Sequence, residues 1–337
     1  MPLHTFLDFI VFGRISRQTI VNLNQKVYER IPGGPALYSA AGIRCWAERI
    51  GIVSEVTPAE QIDLFPVLDL HRIDHKSILV TPDASVEDQF LGYVSPDAPV
   101  SSNPIPFFAA IQKTLPRTLL SESFQKADIP SSKNFYPSML SEIYMDASCA
   151  HICADELHHQ LKISTLINKS SVSVLSLLSN KQYMEPGNWD LVMNLMNSLT
   201  VFFTSTFQLG LLFKNRLDDI QLIVETLHRR GCEYVVLLDG VEGYKLFDVK
   251  GNRKIFIPAY PVKTIDPTGV EEAFCGGFLA GIKKNHDPIH AMMSGSVTAS
   301  VKLEGSGPFF PLEVTPGLMD ARMDRIKDWI KVQILAP

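Results

Sequence analysis

Cysteine is scarce and odd in number: five in 337 residues, which excludes a disulfide scaffold and points to reduced thiols. No window approaches the roughly 18 to 20 uninterrupted apolar residues of a membrane span. The apolar stretch near the N-terminus is interrupted by Asp8 and reads as a first strand rather than a signal segment. There is no basic run and no arginine cluster interleaved with aromatics, and the formal net charge is −5, so a nucleic-acid surface is excluded. Internal repeats and low-complexity tracts are absent as well. What is present is an ordinary globular balance, 46% hydrophobic and 20% charged, long enough for one large α/β domain or two small ones. The expectation is a soluble, cytoplasmic protein with neither membrane nor nucleic acid as partner.

From Ile143 onward, strand and helix patterns alternate. A strand around His151 to Ala154 precedes a helix from Asp155, and the strand Ser171 to Leu177 precedes a helix at Asn188, whose side chain is suited to cap it. The strand Thr200 to Thr204, a helix from Leu217 to Arg230 closed by Gly231, and the strand Tyr234 to Leu238 complete the series. Such βαβ alternation predicts a parallel sheet covered on both faces by helices, with ligands at the carboxyl ends of the strands. Lys245 to Asp248 and Lys254 to Ile257 read as a hairpin at the sheet edge. Pro96 to Pro106, with four prolines, reads as a loop.

Cys149, His151 and Cys153 alternate along one predicted strand, with His158 and His159 following. Zinc accepts such ligands, but a buried strand face has the same period, and the tight zinc spacings differ. The reading is a strand face and no metal.

The most informative stretch is Asp266-Pro-Thr-Gly-Val-Glu-Glu-Ala-Phe-Cys-Gly-Gly-Phe-Leu-Ala-Gly281. Asp, Pro, Thr and Gly cannot propagate a helix whereas Glu271 to Ile282 can, so free backbone N–H groups are expected to point at any anion bound there. Asp266, Thr268, Gly269, Ala273, Phe274, Gly276, Gly277 and Phe278 match the signature of the ribokinase-like (pfkB) family of carbohydrate and nucleoside kinases, which the run resembles. Phe9 to Gly13 resembles that family's opening strand, and Gly33-Gly34 with the helix Ala36 to Trp46 resembles its substrate-site motif. Val235 to Leu238 with Gly240 and Gly243 resembles the strand and turn beside the nucleotide. Similarity is thin from about Val56 to Met145.

The resemblance implies a single domain over residues 1–337, with a mostly parallel central sheet, helices on both faces and a small β lid from about 15–30 and 86–106. It implies a sugar or nucleoside as small-molecule ligand, ATP and magnesium as cofactors of an active member, and a homodimer through the lid. By position it puts the catalytic base at Glu272, the anion hole at Gly269, Val270 and Glu271, and nucleotide contacts at Gly240, Gly243, Asp266, Thr268 and Ser296. Substrate contacts fall at Gln18, Gly33, Gly34 and Tyr38. Asp266 and Thr268 also match the turn that members use beside a monovalent cation.

The chain departs from the family pattern where chemistry would occur. Glu272 replaces an Asp, adding one methylene, and Glu271 replaces a glycine of the anion hole, adding a negative charge. Gln18 stands for an acidic substrate contact, Tyr38 for an Asn, and Ser205-Thr-Phe-Gln208 for the Asn-x-x-Glu that organises magnesium. Phosphoryl transfer is mostly positioning plus electrostatics, and these changes touch each part of it. The expectation is a weakly active or inactive kinase-like protein that keeps a ligand cleft. The alternatives are a working small-molecule kinase with Glu272 as base, or an assembly subunit in which only the fold matters. First-turn acids such as Glu271 and Glu272 also suit a helix dipole with no catalytic role at all.

Overall fold

The computed structural model describes residues 6–82, 84, 87–97, 99–120, 140, 142–214 and 219–335. Leu217, named above as a helix start, and Val86, at the edge of the predicted lid, lie outside them. The strands are β1 (Phe9–Phe12), β2 (Ser16–Val21), β3 (Val27–Gly33), β4 (Ile50–Val56), β5 (Asp74–Val80), β6 (Glu87–Gly92) and β7 (Cys149–Ile152). They continue as β8 (Val174–Leu178), β9 (Val201–Thr204), β10 (Tyr234–Leu238), β11 (Tyr244–Asp248), β12 (Arg253–Ile257) and β13 (Lys331–Ile334). The helices are α1 (Pro35–Arg44), α2 (Pro58–Leu70), α3 (Pro104–Ala110), α4 (Glu142–Met145), α5 (Leu157–Ile167) and α6 (Trp189–Met196). After them come α7 (Thr206–Leu212), α8 (Ile220–Arg229), α9 (Val270–Asn285), α10 (Pro288–Lys302) and α11 (Leu318–Ile326).

Ten strands form one sheet in the order β13-β12-β11-β10-β9-β8-β7-β1-β4-β5. From β10 to β5 every pairing is parallel, and the β11 to β13 end is antiparallel. The central strands are buried along their whole length, as a sheet with helices on both faces requires. In β1, Phe9 and Val11 point into the core shared with α1, α9 and α10, while Ile10 and Phe12 point into the one shared with α5, α6 and α8. This is the α/β, ribokinase-like architecture expected from the sequence. A second sheet, β3-β2-β6, pairs β2 antiparallel to β3 and parallel to β6.

Several local readings need correction. The β11–β12 hairpin forms, but β13 pairs with β12 and takes the edge. No local pattern around Ile255 reveals that its partner is Val332. Asn188 precedes α6 without capping it; its Nδ2 donates to the Tyr183 carbonyl at 3.0 Å instead. The proline-rich loop ends early, because Pro104 occupies the first turn of α3, where a missing N–H costs nothing. Helix α8 starts at Ile220, where the Asp219 side chain accepts from the N–H groups of Gln221 and Leu222.

Two glycines explain why α9 can lie in the middle of the molecule. A Cβ on Gly276 would stand 2.1 Å from the Ser39 carbonyl oxygen of α1, and one on Gly277 would stand 2.4 Å from Thr298 Oγ1 of α10. The helix is wedged between two neighbours at backbone contact distance. Much of the motif downstream of Glu272 is therefore required by packing alone.

Candidate functional site

The turn before α9 is built around Asp266. Its Oδ1 accepts from the Thr268 N–H at 2.9 Å, and Gly269 follows at φ 73°, a conformation that suits glycine, as the cap of α9. Thr268 Oγ1 donates to the Tyr93 hydroxyl at 3.0 Å, tying the turn to the chain just after β6. Not every amide at the helix start is free, since Val270 N–H already donates to the Pro267 carbonyl at 3.3 Å.

A chain of buried side chains joins this turn to the small sheet. The Tyr38 ring from α1 covers Gly269 so closely that a Cβ there would stand 2.2 Å from ring atoms. Its hydroxyl donates to Gln18 Oε1 at 2.9 Å, and Gln18 Nε2 donates to Gln89 Oε1 at 2.9 Å. Gln18 in turn packs on Gly33, where a Cβ would stand 2.1 Å from Oε1. Gly34 sits at φ 98° with the Arg14 carbonyl 2.7 Å from any Cβ. The structure thus brings Gln18, Gly33, Tyr38 and Gly269 together. Gln89 in β6 and Tyr93 just after it belong to the same cluster and are missed by sequence reading, because nothing in this stretch distinguishes their side chains from those of an ordinary strand and its end. Burial first, then the charges of Asp266, Tyr93 and Glu272, hold the Tyr38 phenol well above its ordinary pKa, so it is neutral and a donor.

The two first-turn acids differ. Glu271 is open to solvent by area, yet the surrounding protein, then Glu272 and Asp239, push its carboxyl up to about 7. Water at the carboxylate tip screens part of that effect. Glu272 is half-buried and raised as well, chiefly by burial, with its own backbone N–H and Lys302 pulling the other way. Asp239 was absent from the sequence reading. It accepts from the Thr206 N–H and Oγ1 at 2.9 and 2.7 Å and from Lys245 Nζ at 2.9 Å. Burial opposes its charge, but these bonds prevail and hold it below the usual carboxylate range.

The remaining residues named from the sequence make local contacts of their own. Gly240 (φ 59°) and Gly243 (φ 89°) bracket a 3-10 turn after β10. A Cβ on Gly243 would meet the Ile257 carbonyl at 2.5 Å, whereas Gly240 faces open space. Ser296 is buried in α10, and its Oγ has no hydrogen-bond partner among the described residues. Gln208 closes the Ser205 cap of α7, and its Oε1 accepts from Ser179 Oγ at 2.5 Å. Cys149, His151 and Cys153 are all buried; His151 Nδ1 lies 2.9 Å from Ser176 Oγ, and Cys153 Sγ donates to Ser39 Oγ at 3.5 Å. Among the described residues no cluster of three or more His, Cys, Asp or Glu side chains is placed to hold a metal.

Sequence reading also missed Lys302, the last residue of α10. It is fully buried, and its Nζ donates to the carbonyls of Gly305 at 2.8 Å and Asp266 at 3.2 Å. The Asp266 Oδ2 lies 4.0 Å away and the Tyr38 ring centroid 5.5 Å. Burial lowers its pKa to about 8, with Asp266 and Glu272 opposing. A charged residue closing a helix of Ala, Ser, Met and Val is a visible signal, but a last-turn lysine is also what the helix dipole favours on a surface.

A largely parallel sheet, covered on both faces and flanked by a three-stranded sheet beside a glycine-started helix, defines a ribokinase-like α/β protein. Residues 151–315 match the family described as pfkB family carbohydrate kinase. It is 24% identical over 285 residues to a cytidine kinase of Thermococcus kodakarensis, covering 82% of this chain and 89% of that one. A fructokinase double mutant of Vibrio cholerae O395, solved with fructose, ADP and potassium ion, superposes with a TM-score of 0.72 at 14% identity, covering 95% and 99% of the two chains. A fructokinase of Xylella fastidiosa with bound ATP superposes with a TM-score of 0.71 at 14% identity, covering 94% and 98%. At such identities these structures establish the fold alone. Among the described residues no helix is long and apolar enough to cross a membrane.

Proposed function

We propose that this pfkB-type protein binds a nucleotide or related small molecule in the cleft beside α9 and transfers phosphoryl groups weakly or not at all. The observation that carries this reading is the Tyr38 ring seated on Gly269. A phosphate drawn to the start of α9 needs close approach to backbone N–H groups. That approach is covered by an aromatic ring and flanked by Glu271. The sheet β3-β2-β6, which supplies Gln18 and Gln89, is the natural lid over a ligand in this cleft.

Magnesium and ATP, implied by the family resemblance, find only part of their expected donors. Gln208 has no charge to offer a hard cation, and its carbonyl oxygen is already used by Ser179. Gly240, facing open space, leaves room for a ligand beside β10. A second reading, an active sugar or nucleoside kinase with Glu272 as general base, is favoured by one observation: its carboxyl is raised toward the range where a base works best.

Titration with magnesium ATP and other nucleotides, coupled to product detection over a panel of sugars and nucleosides, separates the two. The expected result is binding with turnover at least about a hundredfold below the roughly 10 per second of an ordinary enzyme. Turnover of any such acceptor at several per second refutes the proposal and makes Glu272 a working base.

A further inference from the structure

The Asp266 carboxylate is fully buried, and its Oδ2 has no hydrogen-bond partner among the described residues. A buried carboxylate left uncompensated is costly, so this turn requires a positive charge. The only cationic atom within 4.0 Å of it among the described residues is the Lys302 ammonium. We infer that Lys302 is a built-in monovalent cation: its ammonium sits beside the Asp266 carboxylate and takes the carbonyl oxygens of Asp266 and Gly305.

The geometry fits an ammonium. Distances of 2.8 and 3.2 Å to carbonyl oxygens are ordinary N–H···O lengths, and the compact ammonium is a point charge without the planar fork of arginine. The Tyr38 ring faces the same nitrogen and adds a cation–π contact. The two backbones it joins are already interlocked, because the N–H groups of Ile265 and Asp266 both donate to the Leu303 carbonyl, at 2.7 and 3.1 Å. Lys302 therefore pins the end of α10 to the turn that starts α9. A separate monovalent ion beside Asp266 and Thr268, which the resemblance implies, does not fit: the Asp266 carbonyl already accepts from Lys302, and the ammonium 4.0 Å from the Asp266 carboxylate repels a second cation. This holds whether or not the chain transfers phosphate.

The test is thermal unfolding of the full chain in potassium, sodium, methylammonium and choline chlorides at one ionic strength. The parent is expected to melt at the same temperature in all four. Lys302→Ala should lower the midpoint by on the order of 5 °C. Potassium or methylammonium should recover part of that loss, and choline, too large for the space, should recover none. Lys302→Met, which fills the space without charge, should respond to no salt. Saturable stabilisation of the parent by potassium over choline overturns the inference, as does a folded Lys302→Ala variant that no small cation rescues. If Lys302→Ala does not fold, the parent's response to potassium decides alone.

Discussion

Glu271 should make anion binding in this cleft depend on pH. Its carboxyl, raised to about 7 by the surrounding protein and by Glu272 and Asp239, is mostly neutral at pH 6 and mostly ionised at pH 8. A phosphate charge held about 5 Å from the ionised side chain is repelled by about 3 kcal/mol at an effective dielectric of 20, roughly two orders of magnitude in affinity. Binding is then carried by the protonated form, whose fraction falls about tenfold between pH 6 and pH 8 for a group of pKa near 7. The affinity of a nucleoside triphosphate should fall by about that factor, on top of the ligand's own titration. Glu271→Gln removes the Glu271 contribution and leaves only the ligand's. The assay is calorimetric titration of parent and Glu271→Gln without magnesium, at low salt because screening weakens exposed charges. Equal pH slopes for the two proteins refute the reasoning. Stability must follow the same sign. A carboxyl near 4.5 when unfolded and near 7 when folded loses stabilising protonation as pH rises through that window. Glu271→Gln should therefore gain stability on the parent between pH 5 and 8.

Tyr38→Asn should uncover Gly269 and tighten nucleotide binding, while costing roughly 3 kcal/mol in denaturant unfolding for the lost buried ring. Unchanged affinity in a folded variant means that the ring blocks nothing. Glu271→Gly should tighten triphosphate binding more than Glu272→Asp does, and measurable turnover should need both, since a base tolerates displacement better than an anion site tolerates a carboxylate. Gly276→Ala should destabilise by about 1–3 kcal/mol or more, because its Cβ meets the Ser39 carbonyl at 2.1 Å. A near-neutral result in chemical denaturation would show that α1 and α9 can separate cheaply. Purified protein should carry no stoichiometric zinc by elemental analysis; zinc near one per chain that disappears in the Cys149→Ser, Cys153→Ser double variant contradicts the strand-face reading.

Local chemistry determined most of the fold in this sequence. The βαβ alternation predicted the parallel sheet because strand and helix periods are set by neighbouring residues, and β7 to β10 appear within a few positions of where periodicity puts them. The turn at Asp266 and the start of α9 were legible for the same reason, since Asp, Pro and Gly act on their own backbone. The glycine positions Gly33, Gly34 and Gly269 were visible too, though not why they are tolerant of nothing larger. What tertiary structure decided is what each of these residues faces. Tyr38 covers Gly269 only because α1 and α9 meet at glycine contacts, and Gln89 meets Gln18 only because β6 joins β2 from 71 positions away. Lys302 reads locally as a helix-ending surface lysine. Only the packing of α10 against the Asp266 turn excludes water from it, and that burial converts an ordinary terminal charge into the counterion of a buried carboxylate.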